Sequence, residues 1–298
     1  MKNLINYLYH IDIDSIEKCK KYYLLKDKET VYLFSKYEGN RDFVQIYNTC
    51  NELNYHYFYT FKLKNNIYNQ ILTTIDNEVY YLLDIGLDYE DEVDFYDMLN
   101  FYKRSFNLLG NRFQYNFNWD ILWENKINYL QLHANNNNVT NIKIMPLFYY
   151  YLGLAENALI YVKTITKSYI RSIDDKISFT HRRVNFPVKR INFYNPLNLI
   201  IDLEVRDIAE YIKSLYYSDL DYLDDLEYYL KTSRLTRYSA SLLYARIVYP
   251  SNFFDYFEDQ TNTYFSDKYY DPNAYENFIK KTYELINSYV NIDKILWL

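Results

Sequence analysis

Apolar residues fall into two rhythms along the chain, and the change comes near Gly86. Before it they cluster in short runs rich in β-branched and aromatic side chains. KYYLLKD (21–27) and TVYLFSKY (30–37) are two such runs around the turn-like Lys28-Glu29, and they predict a hairpin. From Arg41 to Leu53, Phe43, Val44, Ile46, Tyr47 and Cys50 recur at helical spacing, so one helix is expected after the hairpin. YHYFYTFKL (55–63) reads as extended. NQILTTIDNEVYYLLDI (69–85) predicts a second hairpin, turning at Asp76-Asn77, residue types that tolerate positive φ. Residues 1–86 are thus expected to form a lobe in which one helix packs on an antiparallel sheet.

Beyond Gly86 the period becomes 3.6. Val93, Tyr96, Leu99, Phe106 and Leu109 make an apolar stripe, with Gly110 suited to the position just past the helix end. Asn118 can cap a helix bearing Trp119, Leu122, Trp123, Ile127 and Leu130. The Asn135–Asn138 run reads as a polar break. Pro146 to Ile165, Ile208 to Leu215, Asp221 to Leu230 and Tyr238 to Tyr249 continue as helices, the last ending before Pro250. Asp271-Pro272 places a capping residue before a proline at the first helical position, opening a helix with Phe278, Ile279, Leu285, Ile286 and Tyr289. Residues 87–298 are therefore a helical lobe, and the fold class is α+β by segregation of its elements.

Composition narrows the chemistry. The 298 residues include 40 Tyr and only 4 Gly, where average usage of ~7% predicts about 20 glycines. Gly39, Gly86, Gly110 and Gly153 stand far apart, so GxGxxG, GxxxxGK[ST] and GxSxG are all absent. AT-rich codons explain the excess of Tyr, Asn, Ile, Lys and Phe more simply than selection for tyrosine. Either way, many of these rings must sit half-buried with the hydroxyl turned to water or a partner.

Charge and cysteine content point to a soluble cytoplasmic protein. The formal charge is -6, with no basic block that would mark a nucleic-acid binder. Cys19 and Cys50 are too few for a zinc site of paired CxxC motifs or a disulfide framework. MKNLINYLYHIDIDSIEK lacks the apolar core of a signal peptide, and no stretch approaches the ~18 apolar residues of a membrane span.

Four stretches carry a resemblance. YYLGLAENALIYV (150–162), FTHRRVNFPVKRINF (179–193), IIDLEVRDIAEYIKS (200–214) and LLYARIVYPSNFF (242–254) together resemble the spore coat-associated YutH family. That family is an endospore branch of the aminoglycoside phosphotransferase- and choline kinase-like kinases, related to the spore coat protein CotS. The resemblance implies a protein-kinase-like bilobal fold with a small antiparallel-sheet N-lobe. It also implies spore coat proteins as partners, and a protein made in the mother-cell cytoplasm and deposited on the endospore coat. The signature residues Gly153, Glu156, Asn157, Arg206, Asp207 and Glu210 read as structural, Arg206 forming an ion pair while Asp207 and Glu210 complement the helix dipole.

Phosphoryl transfer in this fold needs an aspartate for the attacking hydroxyl, Asn and Asp ligands for Mg²⁺, and a strand lysine for the phosphates. Laid on the family's H-G-D-x-x-x-x-N loop, His181 keeps the histidine and Arg182 replaces the glycine. Arg183 then stands at the catalytic aspartate and Val188 at the metal-binding asparagine. A guanidinium accepts no proton and repels a cation, and valine offers no oxygen to one. The expectation is a catalytically degenerate kinase acting by binding and assembly, with no catalytic residue, metal or cofactor.

Two alternatives stay open: an active small-molecule kinase using Asp202 with Glu204, or a nucleotide-binding sensor without turnover. ATP and Mg²⁺ enter only under these. Lys36 and Asp202 are then the nucleotide-binding candidates, although a solvated lysine and a capping carboxylate are the structural readings of the same residues. His10, His56 and His133 have no second histidine at ligand spacing. Arg182, Arg183, Lys189 and Arg190 form the densest basic cluster, a solvated face that could also hold an anion or an acidic segment. The sharpest expectation is that Arg183 points into the interlobe cleft and pairs with Asp202 or Glu204.

Overall fold

The computed structural model describes residues 1–39, 43–55, 60–109, 117–136, 144–258 and 267–295. In chain order the elements begin with α1 (Lys2–Tyr9), β1 (Ser15–Lys18), β2 (Tyr22–Lys26), β3 (Val31–Lys36) and α2 (Phe43–Tyr55). Next come β4 (Lys62–Leu63), β5 (Thr73–Ile75), β6 (Glu78–Asp84), α3 (Phe95–Leu109), α4 (Trp119–Asn136) and α5 (Ile144–Ser168). After them follow β7 (Ile177–His181), the single turn α6 (Arg190–Phe193), β8 (Leu199–Leu203), α7 (Val205–Tyr217) and α8 (Leu223–Ser233). The remainder is α9 (Arg237–Val248), α10 (Ser251–Glu258), a 3-10 turn (Asp267–Tyr270) and α11 (Pro272–Tyr289). Gly110, His56, Asn137 and Asn138 lie outside the described residues, while Asn135 and Asn136 continue α4 instead of breaking it.

One compact unit comprises Met1–Ser105 and Pro187–Leu199. Both expected hairpins form in it. The Asp27 carboxylate accepts from the N–H groups of Glu29 (2.8 Å) and Thr30 (2.7 Å), a side-chain turn that sets Lys26 opposite Val31. Asp76 (φ 50) and Asn77 (φ 63) both take positive φ, as a two-residue hairpin turn requires, and Ile75 pairs with Glu78. The sheet runs in the order β1-β2-β3-β6-β4, with β5 also paired to β6.

This unit carries a helix absent from the sequence expectation. α1 buries Ile5, Leu8 and Tyr9 at i, i+3, i+4 spacing and ends at His10 in the left-handed conformation (φ 50). Its side of the sheet is built from Leu25, Tyr32, Phe34 and Leu82. Leu24, Leu33 and Leu83 alternate with them and pack with Phe43 of α2. A sheet buried on both faces reads as continuous apolar runs, not as alternation.

The expected division at Gly86 marks a change of periodicity inside this unit. Gly86 has φ 71, and a Cβ there would meet Asp88 Oδ1 at 3.1 Å, so the turn needs glycine. α3 follows, but its buried stripe is Phe95, Met98, Phe101, Tyr102 and Ser105. The expected stripe is rotated from this, and Tyr96 is exposed. Aromatic residues surround this helix, so its neighbours choose the face: Phe101 meets the Phe193 ring at 4.8 Å.

The second unit comprises Phe106–Phe186 and Ile200–Leu298. α9 lies at its centre, with Tyr238 through Val248 all buried, and packs against α5 and α7. Thr236 caps α9 by accepting from Ser239 N at 3.0 Å. Asp271 caps α11 in the same way, accepting from Ala274 N at 3.0 Å ahead of Pro272. α4 buries Trp119, Trp123, Ile127 and Leu130, whereas Leu122 faces outward and is not part of the stripe. Among the described residues, no helix is long and apolar enough to cross a membrane.

Candidate functional site

The second unit gathers His181, Asp202, Arg206 and Asp207 around the start of α7. His181 ends β7 and is buried, as is Asp207 in the first turn of α7. Asp207 accepts from the His181 backbone N–H at 2.9 and 3.1 Å, and its Oδ2 lies 2.6 Å from His181 Nδ1. A carboxylate can only accept, so this contact places a proton on Nδ1. Arg206 grips the same segment from the other side. Its Nε donates to the His181 carbonyl at 3.2 Å and its Nη2 to the Arg182 carbonyl at 3.4 Å. Two neighbouring residues of one helix therefore fix both the donor and the acceptor of His181.

Asp202, on β8, is buried and encircled by donors. Trp119 Nε1 approaches its two oxygens at 3.1 and 2.9 Å, Leu203 N at 2.8 Å and Arg206 Nη1 at 2.9 Å. The indole ring of Trp119 lies 5.3 Å from the Arg246 guanidinium, which also stands 5.7 Å from the Trp123 ring. Trp123 in turn stacks on Tyr249 at 4.2 Å.

Arg183 does not meet Asp202 or Glu204, which corrects the expected pairing. Its Nε and Nη2 donate to the two oxygens of Asp255 on α10, at 2.7 and 2.9 Å. Both side chains are substantially exposed, at 40% and 46%. The reason is competition: Asp202 is already held by Trp119 and Arg206, and Glu204 accepts from the Tyr229 hydroxyl at 2.9 Å. Burial pushes the Glu204 carboxyl above its ordinary range, against the pull of Lys176 Nζ at 3.6 Å.

Glu210 is likewise more than a dipole complement. It is buried with Lys213, Arg246 and Ser251. Its Oε1 accepts from Lys213 Nζ at 3.0 Å and from Arg246 Nε at 2.7 Å, and Ser251 Oγ donates to Oε2 at 2.9 Å. Lys213 completes its shell with the Tyr249 carbonyl at 3.0 Å and Ser251 Oγ at 2.5 Å. Burial alone would raise the Glu210 carboxyl, but Lys213, Arg246 and Arg183 hold it well below the usual carboxylate range. Burial pushes the Lys213 ammonium down to about 8, with Glu210 opposing and Arg246 assisting. Sequence reasoning missed Trp119, Lys213, Arg246 and Ser251 as members of this network. The available signal was a single charge inside an apolar run, as in LLYARIVY.

The other expected residues fall elsewhere. Lys36 ends β3 in the first unit, exposed, with Nζ 2.6 Å from Glu78 Oε1. Val188 is buried in that unit and its carbonyl accepts from Val93 N at 2.7 Å. The basic cluster disperses: Arg183 takes Asp255 and Arg190 takes Asp88 at 2.8 Å, while Lys189 bridges to Glu92 through the backbone. On α5, Asn157 Nδ2 donates to the Gly153 carbonyl at 2.7 Å and Glu156 accepts from Gln131 at 3.2 Å. Among the described residues, no group of three or more His, Cys, Asp or Glu side chains could hold a metal ion.

A family model described as "Spore coat putative kinase YutH" matches residues 2–292. The chain belongs to this family. The endospore coat-associated protein YutH of Bacillus subtilis (strain 168) is 24% identical over 208 residues. That alignment covers 60% of this chain and 61% of the relative, so it spans less than two thirds of the relative's length. Among solved structures, an aminoglycoside phosphotransferase from Alicyclobacillus acidocaldarius is similar over 97% of both chains, with a TM-score of 0.63 and 11% identity. An AMP-bound spectinomycin phosphotransferase is similar over 94% of this chain and 96% of its own, with a TM-score of 0.60 and 10% identity. An amicoumacin kinase holding AMP-PNP and Ca²⁺ is similar over 98% and 94%, with a TM-score of 0.56 and 10% identity. The family member described here thus has the protein-kinase-like fold of aminoglycoside phosphotransferases.

A divalent cation of the kind such kinases hold does not fit the residues around Asp202. A cation needs free oxygen ligands, and here N–H donors and a guanidinium surround both carboxylate oxygens.

Proposed function

We propose that this protein is a catalytically degenerate kinase of the endospore coat, acting by binding and assembly with coat proteins as partners. It is made in the mother-cell cytoplasm and deposited on the coat. One observation carries the reading: Arg183, at the position that the family loop gives to the catalytic aspartate, is committed to Asp255 through two hydrogen bonds. A guanidinium cannot accept the proton of an attacking hydroxyl. Val188 at the metal-binding asparagine position adds no oxygen ligand.

The test is a coupled ADP-release assay with Mg²⁺ against amino alcohols, sugars and aminoglycosides. No turnover above background is expected. Turnover that Asp202→Ala abolishes would make the protein an active small-molecule kinase. A thermal shift with ATP separates a nucleotide sensor, since ligand at 100 times Kd adds about 2.7 kcal/mol of stability. Co-purification from sporulating cells then identifies the coat partner.

A further inference from the structure

We propose that Arg206 is a built-in counter-ion for Asp202, at the position to which the family resemblance assigns a metal-binding aspartate. Asp202 therefore binds no Mg²⁺ or Mn²⁺. This inference rests on the pseudoenzyme reading and gives it a physical cause within the second unit.

Three observations converge on it. First, Arg206 Nη1 lies 2.9 Å from Asp202 Oδ2, in a pair whose side chains are only 11% and 6% exposed. A guanidinium stays charged at every accessible pH, so the carboxylate is neutralised permanently. Second, Arg206 is not free to swing away. Its Nε and Nη2 are held by the carbonyls of His181 and Arg182, and it follows Asp202 by four residues at the start of α7. Third, the remaining approach to Asp202 is occupied by the Trp119 indole N–H, and the Arg246 guanidinium backs that ring at 5.3 Å. A divalent ion entering here would have to displace an N–H donor while sitting close to two fixed positive charges. Repulsion between like charges in a poorly solvated site is large compared with what one carboxylate can offer a cation. Arg246 is itself held by Glu210 at 2.7 Å, so it has no reason to release the Trp119 face.

The closeness of Asp202 and Arg206 in sequence also fits this role. IIDLEVRD carries the strand-end carboxylate and its guanidinium partner on consecutive elements, with no loop between them in which to gather further ligands.

Mn²⁺ alone, followed by the electron paramagnetic resonance signal of the free ion, tests the proposal on the 298-residue chain. The wild type is expected to show no Mn²⁺ site that Asp202→Asn removes. Arg206→Gln, which deletes the charge and keeps a hydrogen-bonding side chain, should bind Mn²⁺ at least about tenfold more tightly than wild type, equivalent to 1.4 kcal/mol. Asp202→Asn in that background should abolish the gain. Trp119→Phe, which removes the indole donor and leaves the guanidinium, should gain nothing. Wild-type binding that Asp202→Asn eliminates would overturn the proposal. So would a folded Arg206→Gln that gains no site, or a Trp119→Phe that does. Where circular dichroism shows Arg206→Gln unfolded, the comparison of wild type with Asp202→Asn and Trp119→Phe still decides. Mn²⁺ held at Asp202 without ADP release sinks this inference alone, whereas turnover sinks the pseudoenzyme reading beneath it.

Discussion

Arg183 and Asp255 are 72 positions apart in sequence, yet two parallel N–H···O bonds of 2.7 and 2.9 Å join them. This fork geometry is the strongest arrangement available to an arginine and a carboxylate. Its surroundings reduce its value, because both side chains remain substantially exposed and water screens the pair. A double-mutant cycle of Arg183→Ala and Asp255→Ala, read by urea unfolding, should therefore give a coupling of only about 0.5 kcal/mol. A coupling several times larger would mean that the pair is dry in solution. Arg183→Asp, which restores the family's residue type, should set two carboxylates side by side and lower stability without creating turnover.

Glu210 makes the opposite case, since it pairs with two buried cations at once. Removing one partner of a buried ion pair costs about 3–5 kcal/mol, because the other charge remains desolvated. Glu210→Ala strands both Lys213 and Arg246, so it should lose at least that much. Total stabilities of about 5–15 kcal/mol make such a variant marginal. Lys213→Met leaves the Glu210–Arg246 pair intact and should be clearly milder. Urea midpoints of the two variants provide the check, and equal losses would refute the assignment of Glu210 as the hub.

The fold was largely legible because its hairpins and caps are local. Asp76-Asn77 and Asp271-Pro272 announce their geometry within four residues. The site was not legible to the same degree, because its partners lie far apart. Nothing within IIDLEVRD indicates that Asp202 will meet Trp119, 83 positions earlier, or that Arg183 will turn to Asp255. Helix faces failed for a related reason. In α4 apolar residues stand on several faces and in α3 the apolar stripe is broad, so only tertiary neighbours select Phe101 over Tyr96 or Trp123 over Leu122. α1 escaped notice because three buried residues give too short a stripe for periodicity to register.

Trp119→Phe isolates one hydrogen bond while keeping most of the ring volume. The indole N–H is the donor that spans both oxygens of Asp202, and phenylalanine has none to replace it. Arg206 and Leu203 still satisfy the carboxylate in part, so the loss should sit near the low end of about 1–3 kcal/mol. A shift of the urea midpoint at unchanged slope is expected, and no shift at all would mean that the indole does not donate there.

Alkaline titration separates two groups of opposite sign. Lys213 has its ammonium pushed down to about 8, below the ordinary 10.5, so over that window the unfolded chain binds more protons than the folded one. Stability should therefore rise with pH from about 8, and Lys213→Met should remove the rise. Tyrosines act the other way. Burial, reinforced by neighbouring phenols or by Glu204, raises Tyr217, Tyr229 and Tyr275 well above 10.0. Above pH 10 the unfolded chain sheds phenolic protons that the folded chain retains, so stability is intact below that pH and falls as pH rises past it. Absorbance at the phenolate band should show exposed tyrosines ionising reversibly near their ordinary pKa of about 10. The buried ones should ionise only as circular dichroism reports unfolding, with hysteresis on the return. A single reversible titration of every tyrosine with the fold intact would contradict the burial of Tyr229 and Tyr275.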